Sequence, residues 1–225
     1  SGMLYFYPPD TLEGASIMMS LLEDNLIHIN GADYITIKDI KMTAARSTGV
    51  TIENGTGNRI VNCEIEYTSD KAVVIKGAET FRNGVTGSYI HDVNGGIYIE
   101  AGNISELLPG ENYAINNRIE RFARINKTYN GAISLFGVGN IALYNEMSNA
   151  VHLAVQFGGN NHKINYNNIH NVLQENDDMG ALYAGRSWVS RGTEIKYNYI
   201  HNLESPLANK VGIYGIYLDD RYCGT

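Results

Sequence analysis

Cysteine, proline and basic charge are all scarce in this chain of 225 residues. It has two cysteines, Cys63 and Cys223, far apart in sequence. Two are too few for a disulfide framework or a four-cysteine zinc site, so each is expected to be a small buried or surface thiol. Lysine and arginine total 17 against 24 acidic residues, a formal net charge of −7. A nucleic-acid binder needs a basic face to neutralise phosphates, so nucleic acid is not an expected partner. No apolar run approaches the roughly 20 residues of a membrane-spanning helix. No HExxH, paired CxxC, Walker loop or GxSxG occurs, and no cofactor is expected from motifs. An apolar fraction of 44% with 18% charged residues excludes a disordered chain and a coiled coil.

Asparagine is plentiful instead. There are 26 asparagines, about twice the usual share, with 25 isoleucines and 24 glycines against four prolines. Without a long 3.6-residue apolar stripe, that mixture points to many short strands joined by tight corners. The strands repeat. ITIKDI (35–40), IVNCEI (60–65), VTGSYI (85–90), AINNRI (114–119), ALYNEM (142–147), INYNNI (164–169) and IKYNYI (195–200) share one local pattern. Their closing residues, Ile40, Ile65, Ile90, Ile119, Met147, Ile169 and Ile200, recur every 22 to 31 residues. Two places earlier stand Asn117, Asn145, Asn167 and Asn198, with Ser88, Cys63 and Lys38 in the first units.

Each unit also holds a second strand: GVTIE (49–53), AVVIK (72–76), GIYIE (96–100), GAISL (131–135), AVQF (154–157), GALYA (180–184) and GIYLDD (215–220). Propeller blades are longer, leucine-rich repeats need a Leu-x-x-Leu frame, and βαβ units need helical crossovers. The expected fold is therefore all-β, a parallel β-helix of about seven to eight coils with an asparagine ladder. Residues 26–225 are assigned to it. Residues 1–25 depart from the repeat and are read as a cap over the first coil or the remnant of a preceding region, with Ser1-Gly2-Met3 resembling a tag scar. The strand edge at the far end predicts that further coils follow in the natural protein. The excursions 101–113 and 203–211 are expected on a binding face.

The densest chemistry lies in 175–191, ENDDMGALYAGRSWVSR, and in GIYLDD. In a solenoid these two segments stack, which brings Asp178 and Asp219 to one sheet edge, with Asp220 as the substitute if the register shifts by one. Paired carboxylates can split acid and nucleophile or base roles in glycoside cleavage, since a neighbouring like charge raises one of the two pKa values. Adjacent aspartates can equally cap turns. Alternation puts Ile216 and Leu218 inward and Gln156, Tyr183 and Tyr217 outward. Those three, with His152, Arg186 and Trp188, are the expected substrate contacts, because sugar rings stack on aromatics and their hydroxyls need hydrogen bonds. His91, His170 and His201, each just after a closing isoleucine, read as structural.

The runs GVGNIALYNEMSNAVHLAVQFGGNNHKINYNNIHNV, DDMGALYAGRSWVSRGTEIKYNYIHNL and GIYLDD resemble the right-handed parallel β-helix proteins grouped around glycoside hydrolase family 141. LYFYPP and ADYITIKDIKM fit the same resemblance, which spans roughly residues 4–225. It implies carbohydrate hydrolysis of the α-L-fucosidase or xylanase kind, with Asp178 and Asp219 matching the catalytic aspartates. A polysaccharide or oligosaccharide substrate and an extracellular or periplasmic location follow from it. Two other classes compete. A polysaccharide lyase would use Arg186, Arg191 or Lys196, or calcium held by Asp177, Asp178, Asp219 and Asp220. A carbohydrate-binding rod would turn nothing over. An unsaturated product, new reducing ends, or neither separates the three.

Overall fold

The computed structural model describes residues 3, 5–8, 11–208 and 210–224. Among them there is no helix, and every ladder between named strands is parallel. The first sheet has eight strands: Ile27–Asn30, Val50–Glu53, Lys71–Gly77, Gly95–Ala101, Ile133–Gly137, Val155–Phe157, Met179–Gly185 and Ile213–Asp219. Two seven-stranded sheets complete the prism, one running from Thr36–Lys38 to Glu194–Lys196 and the other from Lys41–Ala45 to Tyr199–His201. The chain is a parallel β-helix.

Inward columns of Ile, Val, Leu and Ala fill the prism. In the first sheet Val50, Val73, Ile97, Ile133, Val155, Leu182 and Ile216 occupy one register position, and all but the last are buried. Polar side chains alternate with them on the outer face.

The corners explain the asparagine. Between the second and third sheets, each coil turns on one residue with positive φ: Asp39, Asn62, Gly87, Asn116, Tyr144, Tyr166 and Tyr197. Asp, Asn and Gly accept that conformation readily, whereas tyrosine does so at a cost. Tyr144, Tyr166 and Tyr197 stack face to face with centroids 5.0 and 4.8 Å apart, which offsets part of it. The next residue in each coil is the ladder position. Asn117 donates through both its backbone N–H and Nδ2 to Oδ1 of Asn145 at 3.0 Å, and Asn145 does the same to Asn167. Asn167 repeats it to Asn198. The expected column is present, with one slip: Glu64 pairs with Lys41, so Ile40, not Lys38, aligns with Cys63. The slip is two residues, so the inward and outward faces stay the same.

A second ladder, absent from the sequence reading, runs up the corner between the first and second sheets. Asn58, Asn83, Asn112 and Asn140 make the same contacts in sequence, and the Nδ1 of His162 accepts the Asn140 N–H at 3.1 Å to continue it. Segment 13–23 is irregular, and its Ile17, Met18, Met19 and Leu21 are exposed. Cys63 is buried and Cys223 exposed, both as free thiols.

Asn167→Leu should cost about 1–3 kcal/mol, because buried backbone and amide groups on the adjoining coils lose their partners. Asn161 is exposed at φ 57° and joins no ladder through its side chain, so Asn161→Gly should cost a few tenths at most. Equal shifts in urea midpoint for the two variants would contradict the ladder's role.

Candidate functional site

The last two strands of the first sheet carry the aspartates. Met179–Gly185 pairs with Ile213–Asp219, with Tyr183 beside Tyr217 and Gly185 beside Asp219. Asp178 immediately precedes the first of these strands at φ 59°.

Asp177 and Asp178 divide their work. Asp177 accepts the backbone N–H groups of Gly212 at 2.7 Å, Val211 at 3.2 Å and Lys210 at 3.2 Å. Those bonds, the one from Gly212 first, hold its carboxyl below the usual range. It thereby pins the entry to the next coil, which is the turn-capping role that adjacent aspartates can take. Asp178 is left for the outer face, where its Oδ1 accepts the Tyr217 hydroxyl at 3.0 Å.

Asp219 accepts the Tyr183 hydroxyl at 2.9 Å and also acts on the Tyr217 phenol. The two carboxylates are thus held by neighbouring tyrosines, Asp178 by Tyr217 and Asp219 by Tyr183, whose ring centroids are 6.0 Å apart. Neither aspartate is confined to its own backbone. The hydrogen bond to Asp178, with burial and Asp219 adding to it, pushes the Tyr217 phenol up to about 12. Burial and the bond to Asp219 raise Tyr183 as well. Both phenols thus stay protonated and donate at any ordinary pH.

The other predicted residues take different places. Gln156 stands one coil below Tyr183, half-buried on the same outer column. Tyr183 is on that column too but is only 8% exposed, covered by Tyr217 at 6.0 Å and by Tyr129 at 6.1 Å between ring centroids. Asp220 forms an ion pair with Arg186 at 3.0 Å rather than joining the other two aspartates. With Trp188 and Arg221 this pair lines an adjacent recess of about 410 Å³. Trp188 is 70% exposed there, with the Arg221 guanidinium 5.9 Å from its ring centre. Lys196 is on the second sheet and bonds Glu194.

His152 lies beneath the site rather than along it. It is 1% exposed, its ring sits 5.4 Å from that of Tyr129, and its Nδ1 has no partner among the described residues. Tyr129 is the residue the sequence reading missed. It comes from the connection between Arg118–Glu120 and Ile133–Gly137, at φ 53°, and stands against both His152 and Tyr183. No repeat passes through that connection, so no periodic signal marks it.

Burial lowers His152 to about 4 and lowers His162 in the same direction. A histidine whose folded pKa is depressed costs nothing while both states are neutral, above about pH 6.5. Below that the unfolded chain takes up protons first, so stability falls until the folded pKa is passed. His152 alone should account for about 3 kcal/mol of loss between pH 6.5 and 4. His152→Leu should flatten that limb in urea titrations, and an unchanged limb would count against it. Comparison with protein-family models, with curated proteins and with solved structures finds no match in any of the three.

Proposed function

We infer that the chain is a carbohydrate-active β-helix, a glycoside hydrolase in which Asp178 and Asp219 are the two carboxylates. The observation that supports this reading is that the two aspartates are held by neighbouring tyrosines on one outer face, Asp178 by Tyr217 and Asp219 by Tyr183. Paired-carboxylate glycosidases place their carboxyls roughly 5 to 10 Å apart, the separation that Asp178 and Asp219 must take to act as such a pair. One carboxyl protonates the departing glycosidic oxygen. The other attacks the anomeric carbon or takes a proton from the water that does. Tyr183 and Tyr217 hold the pair in place by donating to it, and Gln156, with Tyr214 whose ring lies 4.9 Å from that of Tyr217, extends the outer face on which a sugar would lie.

The motifs DDMGALY and GIYLDD, which contain the two aspartates, add the resemblance to fucosidase- and xylanase-type enzymes. The reading therefore includes α-L-fucosides and xylans as first substrates and an extracellular or periplasmic setting. Of the three cations named for a lyase, Arg186 is paired with Asp220 and Lys196 lies on another sheet, which leaves Arg191 to meet a uronate.

Asp178→Asn and Asp219→Asn should each lower turnover of a cleaved glycoside by at least about 10³-fold, with thermal midpoints near the parent value. Azide should rescue one variant if that carboxylate is the nucleophile. Product absorbance in the ultraviolet would indicate a lyase, and binding without any new reducing end a non-catalytic rod. A double variant hydrolysing at the parent rate would overturn the assignment.

A further inference from the structure

The third sheet carries ligand-type side chains that the aspartate site does not use. Glu64 and Glu66 flank the inward Ile65 on Glu64–Thr68, so both carboxylates leave the same outer face. His91 is the register partner of Glu66 on the next coil. One ligand atom from each of the three lies within 4.8 Å of the others.

The orientation of His91 is fixed from behind. Its Nδ1 is 2.8 Å from Oδ2 of Asp92. Asp92 is itself gripped by Arg121, whose Nε reaches both carboxylate oxygens at 3.1 Å and whose Nη2 reaches one at 2.8 Å. A carboxylate held this way fixes the ring through Nδ1 and directs Nε2 at the two glutamates. That nitrogen faces Oε1 of Glu64 at 3.3 Å and Oε2 of Glu66 at 3.5 Å. His91 is only 7% exposed, and its Nε2 shares a hydrogen bond with Oε1 of Glu64 that a bound metal would replace. Three ligand-type groups thus converge, and a metal bound among them would take the place of any proton on Nε2. The Lys41 ammonium touches the two carboxylates, at 2.7 and 2.9 Å, from a side chain that is half-exposed.

We propose that Glu64, Glu66 and His91 form a binding site for a divalent cation of the zinc class, with Lys41 as the resident ammonium that the metal displaces. One imidazole and two carboxylates suit Zn²⁺, whereas calcium and magnesium prefer oxygen alone. A dication replacing one ammonium between two carboxylates leaves the cluster neutral. Asp92 supplies the outer contact that metal-bound histidines commonly have. Three protein ligands leave a position open to water. The site is on a different sheet from Asp178 and Asp219, so it is a separate feature and does not rest on the hydrolase reading.

The test is calorimetric titration of the chelator-treated full chain with ZnCl₂ at pH 7.5, with Co²⁺ absorption in the visible as a second readout. One Zn²⁺ per chain should bind. His91→Ala and Asp92→Asn should weaken binding by about 10-fold to 100-fold, with circular dichroism reporting that each variant is folded. Lys41→Met should bind several-fold more tightly, because the competing ammonium is gone. That variant separates the proposal from a plain ion-pair network, in which losing Lys41 could only weaken the cluster. No stoichiometric uptake of either metal by the parent and Lys41→Met would overturn it. So would uptake that His91→Ala and Asp92→Asn leave unchanged.

Discussion

An asparagine side chain that reaches back one coil satisfies two kinds of backbone group at once. Its Oδ1 accepts the N–H of the matching residue on the coil before, and its Nδ2 donates to a carbonyl of an earlier turn. Asn145, for example, accepts the Asn117 N–H at 3.0 Å and donates to the Ala114 carbonyl at 2.9 Å. Corners are where a solenoid backbone leaves its ladder, and buried groups there would otherwise lose about 1–3 kcal/mol each. Two columns of this kind, on neighbouring edges of the prism, set how each coil sits on the next. With that register fixed, alternation decides which side chains enter the core and which leave it. Tyr183 and Tyr217 point outward, and Glu64 and Glu66 share a face, because the coils cannot slide.

The first ladder was legible because its residue always stands two places before an isoleucine or methionine that enters the core. The second was not. Asn58, Asn83, Asn112 and Asn140 follow connections of changing length, and the column ends in His162, a different residue type with the same acceptor. The two-residue slip in the first coil has a related cause. ITIKDI offers Ile37 and Ile40 as apolar markers, and the true counterpart of Ile65 is Met42, just outside the repeat. Because strands repeat every two residues, that error left the inward and outward assignment intact. Ile216 and Leu218 lie in register with buried Leu182 and Ala184, as alternation requires.

The site was legible to the same depth. Stacking alone brings 178–185 against 212–219, so sequence could pair Asp178 with Asp219. It could not tell which of Asp177 and Asp178 caps the turn, since that depends on where the N–H groups of 210–212 point. Nor could it see that Arg186 neutralises Asp220. His152 and Tyr129 show the other limit. A histidine one coil below the acidic segment looks available in sequence, but a tyrosine from a non-repeating connection covers it.

The site's position in the solenoid gives its rigidity a direction. Tyr183 belongs to Met179–Gly185, with Asp178 just before it, and that strand is bonded to strands on both sides, while Tyr217 and Asp219 belong to Ile213–Asp219, which among the described residues pairs on one side only. Ile216 and Leu218 point inward yet are 48% and 42% exposed, because no described coil covers them. A strand with one ladder and half-covered core residues opens locally at lower free energy than its neighbours. Opening it would remove Asp219 and the Tyr217 phenol that bonds Asp178, while Asp177 would lose the N–H groups it caps. The carboxylate pair is therefore only as durable as the contact between these two strands. Tyr183 to Asp219, Tyr217 to Asp178, and Asp177 to the 210–212 backbone all cross that contact. The bonds that arrange the acidic groups are also the ones that hold the last coil in place.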